Sequence, residues 1–246
     1  MKIWVVLPAY NEELGLPPLI QSLEEHLAET GREFKILIVN DGSRDGTGKL
    51  LDSYAAQNRV IAVHNEKNRG LAETIKRGLL EGAKLANDDD LILTMDADNT
   101  HPAGLALRMV RLIREGNDVV IASRYREGSH VRGLAIHRRM LSWFASILFR
   151  LMFPIPGVRD YTCGYRAYRV LALKKLINRY NQDIITERGF SCMVDILLRL
   201  RNEDLVFTEV PLVLRYDQKQ GNSKMQIMRT IMDTLKLMLR RRIGQV

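Results

Sequence analysis

The chain has 246 residues, 46% of them hydrophobic and 27% charged, and 37 Lys and Arg against 29 Asp and Glu give a formal charge of +8. That length and apolar content fit one large globular domain with a buried core and exclude a disordered or low-complexity chain. The basic balance points to an anionic partner, and no run of ~18 or more apolar residues is long enough to cross a bilayer.

The opening residues, MKIWVVLPAYNEE, look like a short leader, but the apolar run is brief and meets acids at once. They are expected to form the first strand of the fold. KIWVVLPA, KILIVND, VIAVHN, LILTMDAD and DVVIAS are Val- and Ile-rich runs, the pattern of a parallel sheet covered on both faces. Residues 16–30, 46–57, 70–86 and 102–115 read as helices between them, and LPPLIQSLEEHL carries a Pro-started helix opening. Strands alternating with helices predict an α/β, Rossmann-like, doubly wound sheet. Such sheets bind ligands beyond the carboxyl ends of their strands.

Beyond residue 126 the character changes. LAIHRRMLSWFASILFRLMFPIPG (134–157) is apolar almost all round and basic at its start. Residues 187–201 read as a helix and LVFTEVPLVLRY as one late strand. Residues 223–243 read as an amphipathic helix with Met228, Ile231, Met232, Leu235, Met238 and Leu239 in one stripe. From Arg215 to Arg242 there are eight Lys and Arg against two Asp, a net of +6. The organisation expected is one main domain over 1–222, holding the apolar helices at 134–153, and a basic C-terminal helix over 223–246. Cys163 and Cys192 lack a CxxC or zinc spacing, which predicts reduced thiols in a cytoplasmic setting.

Polar residues cluster where the strands end: Tyr10 and Glu12, Asp41, Asp96 and Asp98, then Arg124. Acids and bases along one rim suggest a metal and a polyanion bound together. Asp96 and Asp98 end a strand one residue apart, and repulsion between like charges is relieved if a cation lies between them. Alternation is expected to put both on one side. A hard divalent ion, Mg²⁺ or Mn²⁺, takes such carboxylates together with diphosphate oxygens and neutralises a departing diphosphate. A ring at Tyr10 can lie along a nucleobase, and Glu12 and Asp41 can accept from ribose or base. The rival explanations are plain ones: DGS as a turn, and the Asp pair as a solvated cap.

Other chemistries fall away. GSRDGTGK has the wrong glycine spacing for a phosphate loop and Leu50 where a metal-binding hydroxyl belongs. There is no GxGxxG, GxSxG or HExxH, and the positive charge travels with apolar segments, which argues against nucleic acid.

With LPAYNEE, VNDGSRDGT, MDADNTHP and IASRY in that order, the chain resembles the inverting glycosyltransferases of family two, with the GT-A fold. DYTCGYRAYR and LRYDQKQGNSK extend the likeness to the dolichyl- and polyprenyl-phosphate mannose synthase group, over roughly residues 2–225. The resemblance implies a doubly wound mixed sheet and a metal-dependent hexosyltransferase. Its donor would be a GDP- or UDP-linked sugar and its acceptor a polyprenyl or dolichyl phosphate. Pro8, Tyr10, Glu12, Val39, Asp41, Asp96, Ala97 and Asp98 would bind the nucleotide sugar, and Asp96 and Asp98 the metal. Asp98, Arg124 and Lys224 would carry catalysis. Two departures stand out: Thr100 where the group commonly has a metal-assisting Gln, and Asn40 where the family often has a further Asp.

A polyprenyl phosphate is anionic at neutral pH and needs no general base; it needs cations that hold it in line. Arg124, Arg138, Arg139, Arg215 and Lys224 are the candidates. Asp160 is a candidate to orient one of them, and Asp160 and Arg166 fall in a stretch the group places near the acceptor. Glu187 and Asp195 are candidates for sugar hydroxyls or a base. The segment 140–153 is too short to cross a membrane. Arg138, Arg139 and Arg150 are expected at headgroup height while Trp143, Phe144, Phe149 and Phe153 dip in. A core helix pair or a dimer contact is the alternative. The expected location is peripheral, on the cytoplasmic face of a membrane, with a separate membrane protein as a possible partner. Rival readings are transfer to a sugar hydroxyl, where Asp195 serves as base, a non-catalytic membrane-docked module, and a nucleotidyltransferase. The last lacks a basic Gly-rich loop after the first strand.

Overall fold

A computed structural model describes residues 1–133, 136–189 and 191–215, with side chains described except at 136–139 and 141. Lys224 and the 223–246 helix lie outside the described residues, as do the side chains of Arg138 and Arg139.

The elements follow in chain order as β1 (Ile3–Ala9), α1 (Leu16–Ala28), β2 (Phe34–Asn40), α2 (Thr47–Ala56), β3 (Val60–His64), α3 (Leu71–Leu85), β4 (Leu91–Thr94), α4 (Leu105–Arg114) and β5 (Val119–Ser123). Then come β6 (His130–Arg132), α5 (Ile136–Met152), β7 (Arg166–Arg169), α6 (Val170–Tyr180), α7 (Ser191–Leu200), β8 (Phe207–Pro211) and β9 (Val213–Arg215). All four residues of β4 and all five of β5 are buried, as continuous apolar strands covered on both faces must be. The main sheet has the order β3-β2-β1-β4-β7-β5-β8, and β6 pairs with β9 in a small second sheet.

Helix α3 lies close on the sheet because its contact face carries small residues. A Cβ on Gly78 would stand 2.4 Å from Val6 Cγ1, so any larger residue would lift the helix off β1. Ile75, Leu79 and Ala83 on the same helix are buried.

Four features depart from the sequence expectations. First, the apolar runs alone predict a parallel sheet, whereas β7 is antiparallel between β4 and β5 and makes the sheet mixed, as the family resemblance implies. RAYR reads as polar, yet Arg166, Ala167 and Tyr168 are all buried. Second, the late strand is two strands: β8 runs parallel to β5, and after Leu212 β9 joins β6 in the other sheet. Third, β4 ends at Thr94, so Asp96 and Asp98 stand in the following loop and strand alternation does not orient them. Fourth, helix α5 has two distinct faces. Trp143 and Phe144 are 50% and 58% exposed, while Phe149 and Phe153 are 0% and 6% exposed. Phe149 and Phe153 therefore do not dip into a membrane. Phe149 stacks on Tyr161 with ring centroids 5.4 Å apart, and the Tyr161 hydroxyl donates to the Phe153 carbonyl at 2.8 Å.

Candidate functional site

The carboxyl ends of β1, β2, β4 and β5 meet at one rim, and a loop returning from α5 enters between the last two. In the first turn Asn11 has φ of 53°, and its amide N–H donates to Ser43 Oγ at 3.0 Å while its Oδ1 accepts from the Arg44 N–H at 2.8 Å. The Glu12 N–H donates to Thr47 Oγ1 at 2.9 Å. These bonds tie YNE to the DGS turn. Gly42 has φ of +65°, and a Cβ there would sit 2.5 Å from the Lys67 carbonyl carbon, so only glycine lets the turn lie on the β3–α3 loop. Pro8, Tyr10 and Glu12 are half-buried, with Glu12 Oε2 3.3 Å from the Cβ position of Gly15.

Asp41 is more constrained than expected. It is 3% exposed, and its carboxylate accepts from Asn65 Nδ2 and the Arg69 N–H at 2.8 Å each and from the Gly70 N–H at 2.9 Å. Three of about four acceptor directions are thus taken within the chain. Asn40, in place of the family's further Asp, accepts from the Ser43 N–H at 3.1 Å and contacts His64 Nδ1 at 3.0 Å. It braces the turn. Val39 is fully buried, and its Cγ2 lies 3.3 Å from the Gly78 Cβ position, so its side chain belongs to the core and does not meet a nucleotide.

In the loop after β4, Asp96 is half-buried, Ala97 is buried and Asp98 is 9% exposed. Asp98 Oδ1 accepts from the Thr100 hydroxyl at 2.7 Å and the Thr100 N–H at 3.2 Å. The Asp96 N–H donates to His101 Nδ1 at 3.3 Å. Thr100 thus aims the carboxylate rather than extending toward a ligand. Among the described residues no group of three or more His, Cys, Asp or Glu is arranged to hold a metal. The donor set fits a hard divalent ion that takes its remaining oxygens from a bound diphosphate: two acid side chains, one held in place.

Opposite this loop stands Arg124. Its N–H and Nε donate to Asp160 Oδ2 at 3.0 and 2.8 Å, and Nη2 donates to Asp160 Oδ1 at 2.7 Å and Thr162 Oγ1 at 2.5 Å. The Arg124 side chain is 17% exposed and that of Asp160 fully buried. Burial alone would raise the Asp160 carboxyl, but the guanidinium and N–H donors hold it below the usual range. Burial likewise opposes the Arg124 charge, and Asp160 outweighs it, so the guanidinium sits well above its ordinary value. The pairing expected of Asp160 is present.

The reason these residues meet is β7. Being antiparallel, it starts where β4 and β5 end: Arg166 registers with both Thr94 and Ile121. Residues 160–165 therefore enter the rim between Asp96 and Arg124. Thr94 Oγ1 donates to the Gly164 carbonyl at 2.8 Å, and a Cβ on Gly164 would lie 3.7 Å from Asp96 Oδ1. Arg215 of β9 also reaches the rim through its backbone, its N–H donating to the Thr100 carbonyl at 3.1 Å.

Two sequence candidates lie elsewhere. Arg166 is fully buried, and its guanidinium donates to the carbonyls of Cys163, Met193 and Tyr161 at 2.8, 2.7 and 2.8 Å. It locks the returning loop and does not reach an acceptor. Asp195 is also fully buried. It accepts from the Thr186 N–H at 2.7 Å and from Arg199 Nε at 3.3 Å, an ion pair spaced one helical turn apart. Expected as a candidate base or sugar contact, it is instead buried in this internal pair. The half-buried Glu187 is held beside it, its N–H donating to Asp195 Oδ2 at 3.3 Å. Burial pushes both thiols, Cys163 and Cys192, up to about 12, so neither is a nucleophile.

The family model described as Glycosyl transferase family 2 matches residues 4–177. The chain is similar to the polyprenol monophosphomannose synthase of Mycolicibacterium smegmatis, 30% identical over 223 residues, 90% of this chain and 80% of that protein. It is similar to the undecaprenyl-phosphate mannosyltransferase of Micrococcus luteus, 31% identical over 226 residues, 92% of this chain and 88% of that one. Among solved structures, the glucosyl-3-phosphoglycerate synthase of Mycobacterium tuberculosis, in complex with Mn²⁺, uridine-diphosphate and phosphoglyceric acid, matches with a TM-score of 0.64 at 21% identity. That match covers 99% of this chain and 78% of the other, and at such identity the likeness is one of fold. A mixed sheet with an acid pair after β4, and a match that runs from β1 into α6, leave one assignment: this chain is a glycosyltransferase of the GT-A fold and belongs to glycosyltransferase family 2.

Proposed function

We propose that the chain moves a hexose from a nucleotide diphosphate sugar to a polyprenyl or dolichyl phosphate at a membrane surface, with inversion and with Mg²⁺ or Mn²⁺. The observation that carries this reading is Arg124. A guanidinium held bidentate by a buried carboxylate at the end of β5 has a fixed direction for its charge-assisted donors, which suits a phosphate acceptor. The carboxylate nominated as a base for a hydroxyl acceptor, Asp195, is buried in its own ion pair. The names of the similar mannosyltransferases support the same acceptor class.

In this mechanism Tyr10, Glu12 and the remaining acceptor direction of Asp41 seat the nucleoside. Asp96 and Asp98 would hold the divalent ion, which would supply the positive charge that neutralises the departing diphosphate. Arg124, helped by Arg215, Arg138, Arg139 and Lys224, holds the lipid phosphate in line with the anomeric carbon. One phosphate oxygen forms the bond to that carbon as the bond to the nucleoside diphosphate breaks, with no proton to remove.

The described residues contain no helix long and apolar enough to cross a membrane. The outer face of α5, with Met140, Trp143, Phe144, Leu148 and Leu151 exposed, is the proposed contact with the lipid surface. Arg126, Arg150 and Arg159 line an adjoining groove of ≈ 580 Å³ with Leu151, Pro154 and Ile155, a basic edge suited to anionic headgroups. A cytoplasmic-face location and a membrane-protein partner belong to the same proposal.

The test is transfer of labelled hexose from GDP- or UDP-linked donors to polyprenyl phosphate in vesicles. The expected outcome is label in the lipid, lost in EDTA and restored by Mn²⁺. Arg124→Ala should fall more than tenfold at saturating donor, since a charge-assisted contact is worth ~1.5–3 kcal/mol. Full turnover in EDTA, or equal transfer to a soluble sugar hydroxyl, overturns the reading.

A further inference from the structure

A buried acid on β8 lies behind the Arg124–Asp160 pair. Glu209 is 3% exposed and registers with Ile121 of β5. Its Oε1 accepts from two consecutive N–H groups, those of Arg159 and Asp160, at 2.6 Å each. Its Oε2 is buried without a hydrogen bond of good geometry, and the Ser123 hydroxyl of β5 is the polar group close enough to favour its charged form. A buried carboxylate oxygen so poorly satisfied is unfavourable and calls for an explanation. Burial, and then the nearby Asp160 charge, push the Glu209 carboxyl above its ordinary range.

The two bonds fix the peptide directly before the Asp160 side chain. Asp160 in turn accepts from the N–H groups of Arg124, Thr162 and Cys163 and from the Arg124 guanidinium. The same short loop is held from its other side, where Ser146 Oγ of α5 donates to the Arg159 carbonyl. Glu209 is thus the sheet-side clamp of the loop that aims Arg124.

We infer that Glu209 is a positioning residue for transfer: it sets Asp160, and through Asp160 the guanidinium of Arg124 that receives the acceptor phosphate. This inference rests on the proposed acceptor. The test uses the full chain, a saturating nucleotide sugar and polyprenyl phosphate in vesicles. Glu209→Ala should lower kcat about tenfold to a hundredfold with donor KM little changed, and should also lower the melting temperature, because two buried N–H groups lose their acceptor. Glu209→Gln, which keeps an acceptor for both N–H groups, should restore most of the activity. Glu209→Asp, which keeps the charge but shortens the reach, should not. If Glu209→Ala does not fold, the contrast between the Gln and Asp variants decides. In an Arg124→Lys background Glu209→Ala should add less than twofold, because both changes act on one contact. Normal kcat in Glu209→Ala, equal activity of the Gln and Asp variants, or a full multiplicative loss in the Arg124→Lys background overturns the inference. Lipid transfer that depends on Arg124 but not on Glu209 overturns this inference alone. Lipid transfer indifferent to Arg124 overturns the proposed function.

Discussion

From β1 to α4 the site's ionisable side chains stand at strand ends, with Glu12 and Asp96 half-buried, and the strands behind them are apolar. From β5 to β9 the charges go inside: Asp160, Arg166 and Asp195 are fully buried, and Arg199 and Glu209 are each 3% exposed. The first half keeps its acids at the rim, where Asp41 and Asp98 are themselves 3% and 9% exposed and hydrogen-bonded by the loops around them. The second spends its charge on itself, so that one group, Arg124, is held in a set direction. Binding a flexible diphosphate tolerates a rim, whereas in-line attack by a phosphate demands a fixed cation.

The contrast is broken most severely by unpairing an internal charge. Asp195→Ala leaves Arg199 buried without its partner and is expected to cost about 3–5 kcal/mol of stability in denaturant unfolding. Asp98→Ala should do the reverse, losing about a hundredfold or more in turnover while stability stays within about 1.5 kcal/mol, one net hydrogen bond. An Asp195→Ala chain that unfolds at the wild-type midpoint would show that the second half does not depend on internal pairing.

A similar cut divides α5. Phe149→Ala removes a ring stacked on Tyr161 and should cost about 3–5 kcal/mol of stability. Trp143→Ala, on the outer face, should change stability by no more than about 0.5 kcal/mol but weaken sedimentation with anionic vesicles. Undiminished vesicle binding by a Trp143→Ala, Phe144→Ala chain would assign that face to a protein contact instead.

The mildest effect tests the rim itself. Thr100→Val keeps the N–H bond to Asp98 and loses the hydroxyl one, so the Mn²⁺ needed for half-maximal activity should rise about 10–100-fold with little change in stability. An unchanged Mn²⁺ requirement would mean that the carboxylate is aimed by the loop backbone alone.

The half from β1 to α4 was legible because its signals are local. Apolar runs ending in YNE, DGS and DAD carry both strand and rim in a few consecutive residues, and β1, β2, β4 and β5 lie where those runs predict. The errors fall where a residue's role depends on a distant partner. Nothing in LVFTEVP distinguishes Glu209 from an exposed strand acid, since its partners Arg159 and Asp160 lie about fifty residues earlier. Arg166 falls by its motif in a stretch near the acceptor, and its inward role was not legible because its three carbonyl partners come from the loop before it and from α7. The aromatic residues of α5 read as one apolar surface, and only packing against Tyr161 separates Phe149 from Trp143.

By itself the sequence determined the α/β class, the order of strands and helices up to β5, and the acids that mark the rim. Hydrophobic periodicity and turn chemistry act over a few residues and need no fold to be read. The tertiary structure alone decided that β7 enters antiparallel between β4 and β5. That placement delivers residues 160–165 to the rim and pairs Asp160 with Arg124. Strand pairing and the burial of charge depend on contacts between residues far apart in the chain, and a buried charge finds its partner only when the core closes around both.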